Sequence, residues 1–233
     1  MDYHRDETYM EGAVLFIDKP LEWTSFDVVN KIRRALKQTL GIRKIKVGHA
    51  GTLDPLATGL VIVCTGKATR QISQFQDMEK EYHANIRLGA TTPSFDLETE
   101  MDAIYPWEHI TRPMAEQALT RFTGKMEQLP PQFSAKSVAG KRAYQLARAG
   151  KTVELKKQLI QIHRMEILSF DPPELTVEVV CSKGTYIRSL ARDLGTALGS
   201  GAHLTALRRT RIGPYDVKEA ISLENFSKKL KLL

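Results

Sequence analysis

One stretch limits this chain more than any other: Gly48-His49-Ala50-Gly51-Thr52-Leu53-Asp54-Pro55-Leu56-Ala57-Thr58-Gly59. Its three glycines and its proline are poor helix material. The proline ring pushes the residue before it to extended geometry, so Asp54 is expected on a stiff loop. The loop runs straight into Leu60-Val61-Ile62-Val63-Cys64, an apolar, β-branched run that reads as a buried strand. A carboxylate on a stiff loop at the mouth of a strand is where chemistry tends to sit. The same residues also suit a turn aspartate that hydrogen-bonds its own backbone. The local pattern leaves both readings open.

The rest of the chain supplies the frame. Residues 13–17 read as a short buried strand ending at Asp18-Lys19-Pro20. Thr24 and Asp27 form a capping-box-like start to a helix whose stripe is Val28, Val29, Ile32, Ala35, Leu36 and Leu40, and Gly41 ends it. A short basic strand at 45–47 leads to the loop, a strand at 60–65 follows it, and then a helix turns Ala68, Ile72 and Phe75 inward. Residues 80–89 alternate, with Tyr82, Ala84, Ile86 and Leu88 on one face and His83, Asn85 and Arg87 on the other. That pattern also suits Tyr82 as an ordinary core tyrosine. An acidic loop at 91–102 precedes a helix near 113–122. Leu129-Pro130-Pro131-Gln132-Phe133-Ser134-Ala135 then breaks regular structure. A short helix around 144–149, strands near 159–168 and 175–181, a helix at 185–199, a strand at 204–212 and an amphipathic end at 219–233 complete the pattern. Strands and helices without regular βαβ alternation predict an α+β fold.

Charge adds a second constraint. The 233 residues carry a net charge of +7, and the cations are segregated. Lys31, Arg33, Arg34, Lys37, Arg43, Lys44 and Lys46 lie in a stretch with no acid. Lys136, Lys141, Arg142, Arg148, Lys151, Lys156 and Lys157 face only Glu154, and a third group gathers Lys183, Arg188, Arg192, Arg208, Arg209 and Arg211. Such clusters suit a surface that neutralises phosphates; they equally suit ordinary solvated faces.

Several classes are excluded. No apolar run is long enough to span a membrane, and the first ten residues are polar and acidic, unlike a signal peptide, so a cytoplasmic chain is expected. Cys64 and Cys181 lie in β-branched runs and read as small core hydrophobes. The six histidines show no i,i+4 pairing and no nearby Cys-x-x-Cys, so no metal is expected. Gly66-Lys67-Ala68-Thr69 fails as a phosphate loop, because Val61 stands where a glycine is required and Ala68 where a serine or threonine should follow the lysine.

The residues also carry a resemblance. The 48–59 loop resembles the catalytic signature of the bacterial type B tRNA pseudouridine-55 synthase family. Leu15-Phe16-Ile17-Asp18-Lys19-Pro20 with Trp23-Thr24-Ser25, Lys80-Glu81-Tyr82 with Arg87-Leu88-Gly89, Pro130-Pro131-Gln132-Phe133-Ser134-Ala135, Cys181-Ser182-Lys183-Gly184-Thr185-Tyr186-Ile187-Arg188, and Gly201-Ala202-His203-Leu204 through Leu207-Arg208-Arg209 are similar to its other blocks, in the same order, over residues 12–225. The resemblance implies a pseudouridine synthase fold: α+β, with a mixed, mainly antiparallel central sheet and flanking helices. It also implies a single catalytic domain over 1–233, an RNA-gripping insertion around 125–157 and no separate C-terminal PUA domain.

The implied reaction isomerises uridine-55 in the T-arm stem-loop of tRNA to pseudouridine. The base is flipped out of the RNA, and Asp54 attacks either C6 of the uracil or C1′ of the ribose. The reaction involves no redox step, and no cofactor is expected. Arg188 would pair with Asp54 and keep it ionised, and Tyr82 would stack on the flipped base. His49 would fill the space the nucleotide leaves, Leu207 would pack beside the base, Lys19 would shape the pocket, and Tyr186 joins these as a substrate-binding residue. Arg43, Lys44, Lys136, Lys141, Arg142, Arg148, Arg208 and Arg209 are the expected RNA contacts, although many relatives carry the Lys136 lysine one place later. With no apolar stripe in evidence, a monomer is expected. Two further readings stand beside this one: an RNA-binding module with a decayed site, and a guide-RNA-dependent relative acting on other RNAs.

Overall fold

In the computed structural model, which describes residues 6–138 and 140–230, the apolar run beyond the loop becomes the strand Ala57–Thr65, longer at its start than hydrophobicity alone suggests. Its first residues are extended because Gly59 permits it. That glycine has φ +108°, and a Cβ there would lie 2.2 Å from the Arg209 carbonyl oxygen. The chain divides into two compact units, Met1–Tyr82 with Arg208–Leu233, and His83–Leu207.

In the first unit, Ala57–Thr65 is buried almost throughout and pairs antiparallel with Val14–Lys19, Ile17 opposite Val61. Ile221–Ser222 pairs with Val14–Lys19 in parallel. The short strand before the loop is Val47–His49, displaced from the expected 45–47, and it sets Val47 opposite Thr65 and His49 opposite Val63. Helix Ser25–Thr39 opens on the expected capping box: the Thr24 hydroxyl accepts from the Asp27 N–H, and the Asp27 carboxylate accepts from the Thr24 N–H. Its buried stripe is Val28, Val29, Ile32 and Leu36. The segment after the strand begins as a 3₁₀ turn, Gly66–Gln71, and becomes α-helical over Ile72–Asp77, with Ala68 and Phe75 buried. A helix at Asp6–Glu11, not anticipated from its acidic composition, lays Tyr9 edge-on against Phe226. The amphipathic end resolves into Ile221–Ser222 and helix Leu223–Leu230; residues 231–233 of that expectation lie outside the described residues.

The second unit is built on the antiparallel strands Gly124–Gln128, Gln158–Asp171 and Glu174–Cys181, with helices Arg112–Phe122 and Ile187–Ala197. The alternation seen in the sequence holds: Tyr82, Ala84, Ile86 and Leu88 of strand Lys80–Leu88 are all buried. Within the basic insertion, Ser137–Val138 pairs with Lys141–Arg142, and helix Ala143–Arg148 follows. The acidic loop is closed at its base by Thr91 on Asp102 and internally by Ser94 on Thr99. The fold is therefore α+β with mixed, mainly antiparallel strand pairing. Cys64 and Cys181 are buried and free, and burial pushes the Cys64 thiol up to about 11. No helix among the described residues is long and apolar enough to cross a membrane.

Candidate active site

The 48–59 loop is held by side chains from three other segments of the first unit. Its entry is fixed by the Ala50 N–H donating to the Ile62 carbonyl at 2.9 Å. Gly51 follows with φ +92°, a turn conformation that glycine adopts without steric cost. The Gly51 and Thr52 carbonyls accept from Arg209 at 3.3 and 3.4 Å, and the same guanidinium donates to the Leu60 carbonyl at 2.7 Å. The Ser25 hydroxyl accepts from the Leu53 N–H at 2.9 Å and donates back to the Leu53 carbonyl at 3.3 Å. Pro55 presents its carbonyl to Lys19 at 3.2 Å and to the Glu22 N–H at 2.9 Å. Asp54 closes a turn through its own carbonyl, which accepts from the Ala57 N–H at 3.1 Å. The Asp54 main chain thus adopts a turn, and its side chain is half-buried.

Two cations lie beneath this loop, and the second corrects an expectation. Lys19, expected to shape the substrate pocket, is fully buried and donates to the carbonyls of Pro20, Trp23 and Pro55. A lysine ammonium has three donors, so none is left for a ligand. Burial lowers its pKa to about 8, opposed by the Asp54 carboxylate nearby and reinforced by Arg209. Arg209, expected to contact RNA, is 1% exposed and reaches main-chain carbonyls only. A guanidinium enclosed in this way cannot meet a phosphate. Its neighbour Arg208 is half-buried and grips Asp18 with two bonds, 3.0 and 2.7 Å. His49 is half-buried, and burial holds its imidazole below the usual range, against the pull of a Gly51 main-chain bond. That direction favours the uncharged ring, which suits packing better than charge.

Tyr82 closes the first stretch of this unit and is buried to 9% exposure. Tyr186, Arg188 and Leu207 belong to the second unit. There Arg188 is buried, donates to the Ser94 and Phe133 carbonyls at 3.3 and 2.8 Å, and stands 3.6 Å from the Asp96 carboxylate. The acidic loop thus supplies a carboxylate to the second unit's buried arginine, a partner that charge counting did not single out. Tyr186 exchanges two main-chain hydrogen bonds with the Gln128 side chain, and Leu207 is buried.

Of the remaining basic residues, Arg43, Lys44, Lys141, Arg142 and Arg148 are exposed and Lys136 is half-buried. Lys44 lines a hollow with Arg33, Lys37, Lys46, Lys67 and Arg70, and among the described residues no carboxylate lines it. The rejected phosphate-loop residue Lys67 therefore joins a cationic surface after all, through tertiary placement and not through its motif.

Comparison with known proteins bears on what such a site does. Residues 34–187 match the model described as TruB family pseudouridylate synthase (N terminal domain), and residues 188–232 match the tRNA pseudouridylate synthase B C-terminal domain. The chain is 62% identical over 218 residues to tRNA pseudouridine synthase B of Phocaeicola vulgatus, covering 94% of this chain and 93% of that one. It is 52% identical to the protein of the same name from Flavobacterium johnsoniae, covering 97% and 99% respectively. Among solved structures it superposes on a chain of a Cbf5-Nop10-Gar1 complex with a TM-score of 0.72 at 29% identity, covering 97% of this chain and 56% of that chain, just over half its length.

Proposed function

Because the chain belongs to the TruB family of pseudouridylate synthases, we propose that it converts a uridine of tRNA to pseudouridine, at position 55 in the T-arm loop. The observation that carries this reading is the loop itself. A carboxylate stands on a segment whose main-chain groups are tied down by Ser25, Lys19 and Arg209. Such tethering holds a nucleophile in one geometry before substrate arrives, which lowers the entropic cost of reaching the transition state.

In this reading Asp54 is the nucleophile, Arg188 provides the counter-charge, and Tyr82 offers an aromatic face to the flipped base. His49, neutral and half-buried beside the loop, is suited to occupying the gap left in the RNA rather than to moving a proton. Leu207 and Tyr186 complete the substrate contacts. Base eversion is required because the reacting atoms of a stacked nucleotide are out of reach. The acid-free hollow lined by Lys44, Lys67 and Arg70, with exposed Lys141, Arg142 and Arg148, supports a polyanionic partner. The decisive test incubates a T-arm stem-loop transcript with the wild type and with Asp54→Ala and assays pseudouridine. Product is expected only from the wild type; product from both or from neither overturns the assignment.

A further inference from the structure

Two buried side chains of the first unit are given no contact with substrate in the reading above, yet both converge on the segment that carries Asp54. Ser25 is 2% exposed and both accepts from and donates to Leu53, the residue immediately before the carboxylate. Arg209 is 1% exposed and links Gly51, Thr52 and Leu60, which tethers the loop to the strand that follows it. A lysine at that position carries a compact ammonium in place of the planar guanidinium fork, so its donors are not presented to these three carbonyls in the same directions. Resting on the proposed function, we propose that Ser25 and Arg209 are positioning residues for the Asp54 carboxylate, acting through the main chain of residues 51–53. Arg209 is thereby moved from RNA contact to control of the chemical step.

A helix start and a strand, far apart in sequence, thus fix the three peptide units that lead into Asp54. Loss of either contact leaves the exposed cations elsewhere on the chain in place and lets the carboxylate wander. A displacement near 1 Å is enough to slow a reaction about 100-fold without weakening substrate binding. The two functions, grip and chemistry, therefore separate in the kinetics.

The experiment measures single-turnover pseudouridine formation on a T-arm stem-loop, and the RNA dissociation constant at several salt concentrations, for wild type, Ser25→Ala, Ser25→Thr, Arg209→Lys and Asp54→Ala. Ser25→Ala and Arg209→Lys are expected to bind RNA within about twofold of wild type, with the same salt slope, while the rate at saturating RNA falls roughly 10- to 100-fold. Ser25→Thr keeps the hydroxyl and restores the rate to within a few fold, as general thinning of the fold would not. If Arg209→Lys does not fold, the Ser25 pair decides. Wild-type rates in Ser25→Ala, with Asp54→Ala inactive, overturn the positioning role and leave the enzyme reading intact. A loss in Arg209→Lys carried by affinity, with the salt slope reduced by about one, makes Arg209 a phosphate contact instead. An Asp54→Ala variant as active as wild type removes the nucleophile assignment, and the positioning role falls with it.

Discussion

The loop at 50–56 and residues 129–157 of the basic insertion treat their polar groups in opposite ways. In the loop, main-chain groups of Gly51, Thr52, Leu53 and Pro55 are met by Arg209, Ser25 and Lys19, side chains that are almost wholly enclosed. In the insertion, Arg142 donates to the Ala135 carbonyl and Arg148 to Glu98, and both cations stay exposed. Among the described residues there, those buried are Pro130, Pro131, Ser134, Ala143 and Leu155. Arginine does both jobs in this protein. Enclosed, it fixes backbone, because an unmet buried carbonyl is costly; exposed, it remains free to exchange a weak surface partner for a phosphate. On the proposed function, enclosed tethers fall where bonds would be remade and exposed cations where RNA would be gripped.

The largest expected effect breaks the rigid region directly. Gly59→Ala places a Cβ 2.2 Å from the Arg209 carbonyl oxygen at a positive φ. It is expected to cost about 3 kcal/mol or more and to lower the melting temperature by roughly 10 °C. A melting temperature within 2 °C of wild type, taken as roughly the scale of the smallest meaningful shift, would show that the loop is more pliable than its contacts imply.

The insertion should respond in binding rather than in stability. Replacing Lys141, Arg142 and Arg148 together by alanine is expected to weaken RNA binding about tenfold at 0.1 M salt and to flatten the salt dependence by about two in slope. Thermal stability should move by less than about 0.5 kcal/mol, because these side chains are exposed. Titration by fluorescence anisotropy beside a melting curve separates the two quantities; a large stability loss with unchanged affinity would reverse the comparison.

Lys19 gives a smaller, pH-dependent effect. Its folded-state pKa of about 8 lies below the ordinary 10.5. Below pH 8 both folded and unfolded chains hold the proton; between the two values only the unfolded chain does. Stability from this group therefore rises with pH, by about 1 kcal/mol between pH 7 and pH 9. Denaturant titrations should show that increment in wild type and not in Lys19→Met. An identical pH profile in the two proteins would count against the buried ammonium.

The smallest effect sharpens the view of the insertion as a surface that can exchange partners. Glu98 takes two bonds, 2.8 and 2.7 Å, from the guanidinium of Arg148, one of the cations the proposed function assigns to RNA. Glu98→Gln removes the competing charge and is expected to tighten RNA binding about threefold, in line with an exposed ion pair. Unchanged or weaker binding would mean that the contact does not compete with RNA.

Much of this could be read from local pattern. The capping box at Thr24 and Asp27, the alternation through Tyr82, Ala84, Ile86 and Leu88, and the stripe of helix Ile187–Ala197 all depend on residues close in sequence, where hydrophobic period and turn chemistry act directly. Short elements shifted or were missed for the same reason. Val47–His49 is placed by its pairing with Ala57–Thr65, and Asp6–Glu11 by Tyr9 packing on Phe226. Arg208 and Arg209 are adjacent in sequence, yet one grips Asp18 at a half-exposed site and the other is enclosed under the loop. Composition counts two cations there and cannot tell them apart.

What the sequence determined by itself was the kind of chain this is: an α+β fold, a carboxylate on a glycine- and proline-bounded loop, and cations gathered in patches, all set by spacing and by local backbone preference. The tertiary structure alone decided which cations face solvent and which disappear beneath Asp54. Burial is a property of what packs against a residue from far along the chain, and a buried charge must find its hydrogen bonds there. Ser25, Lys19 and Arg209 come from separate segments, and only folding brings their donors to the same few carbonyls.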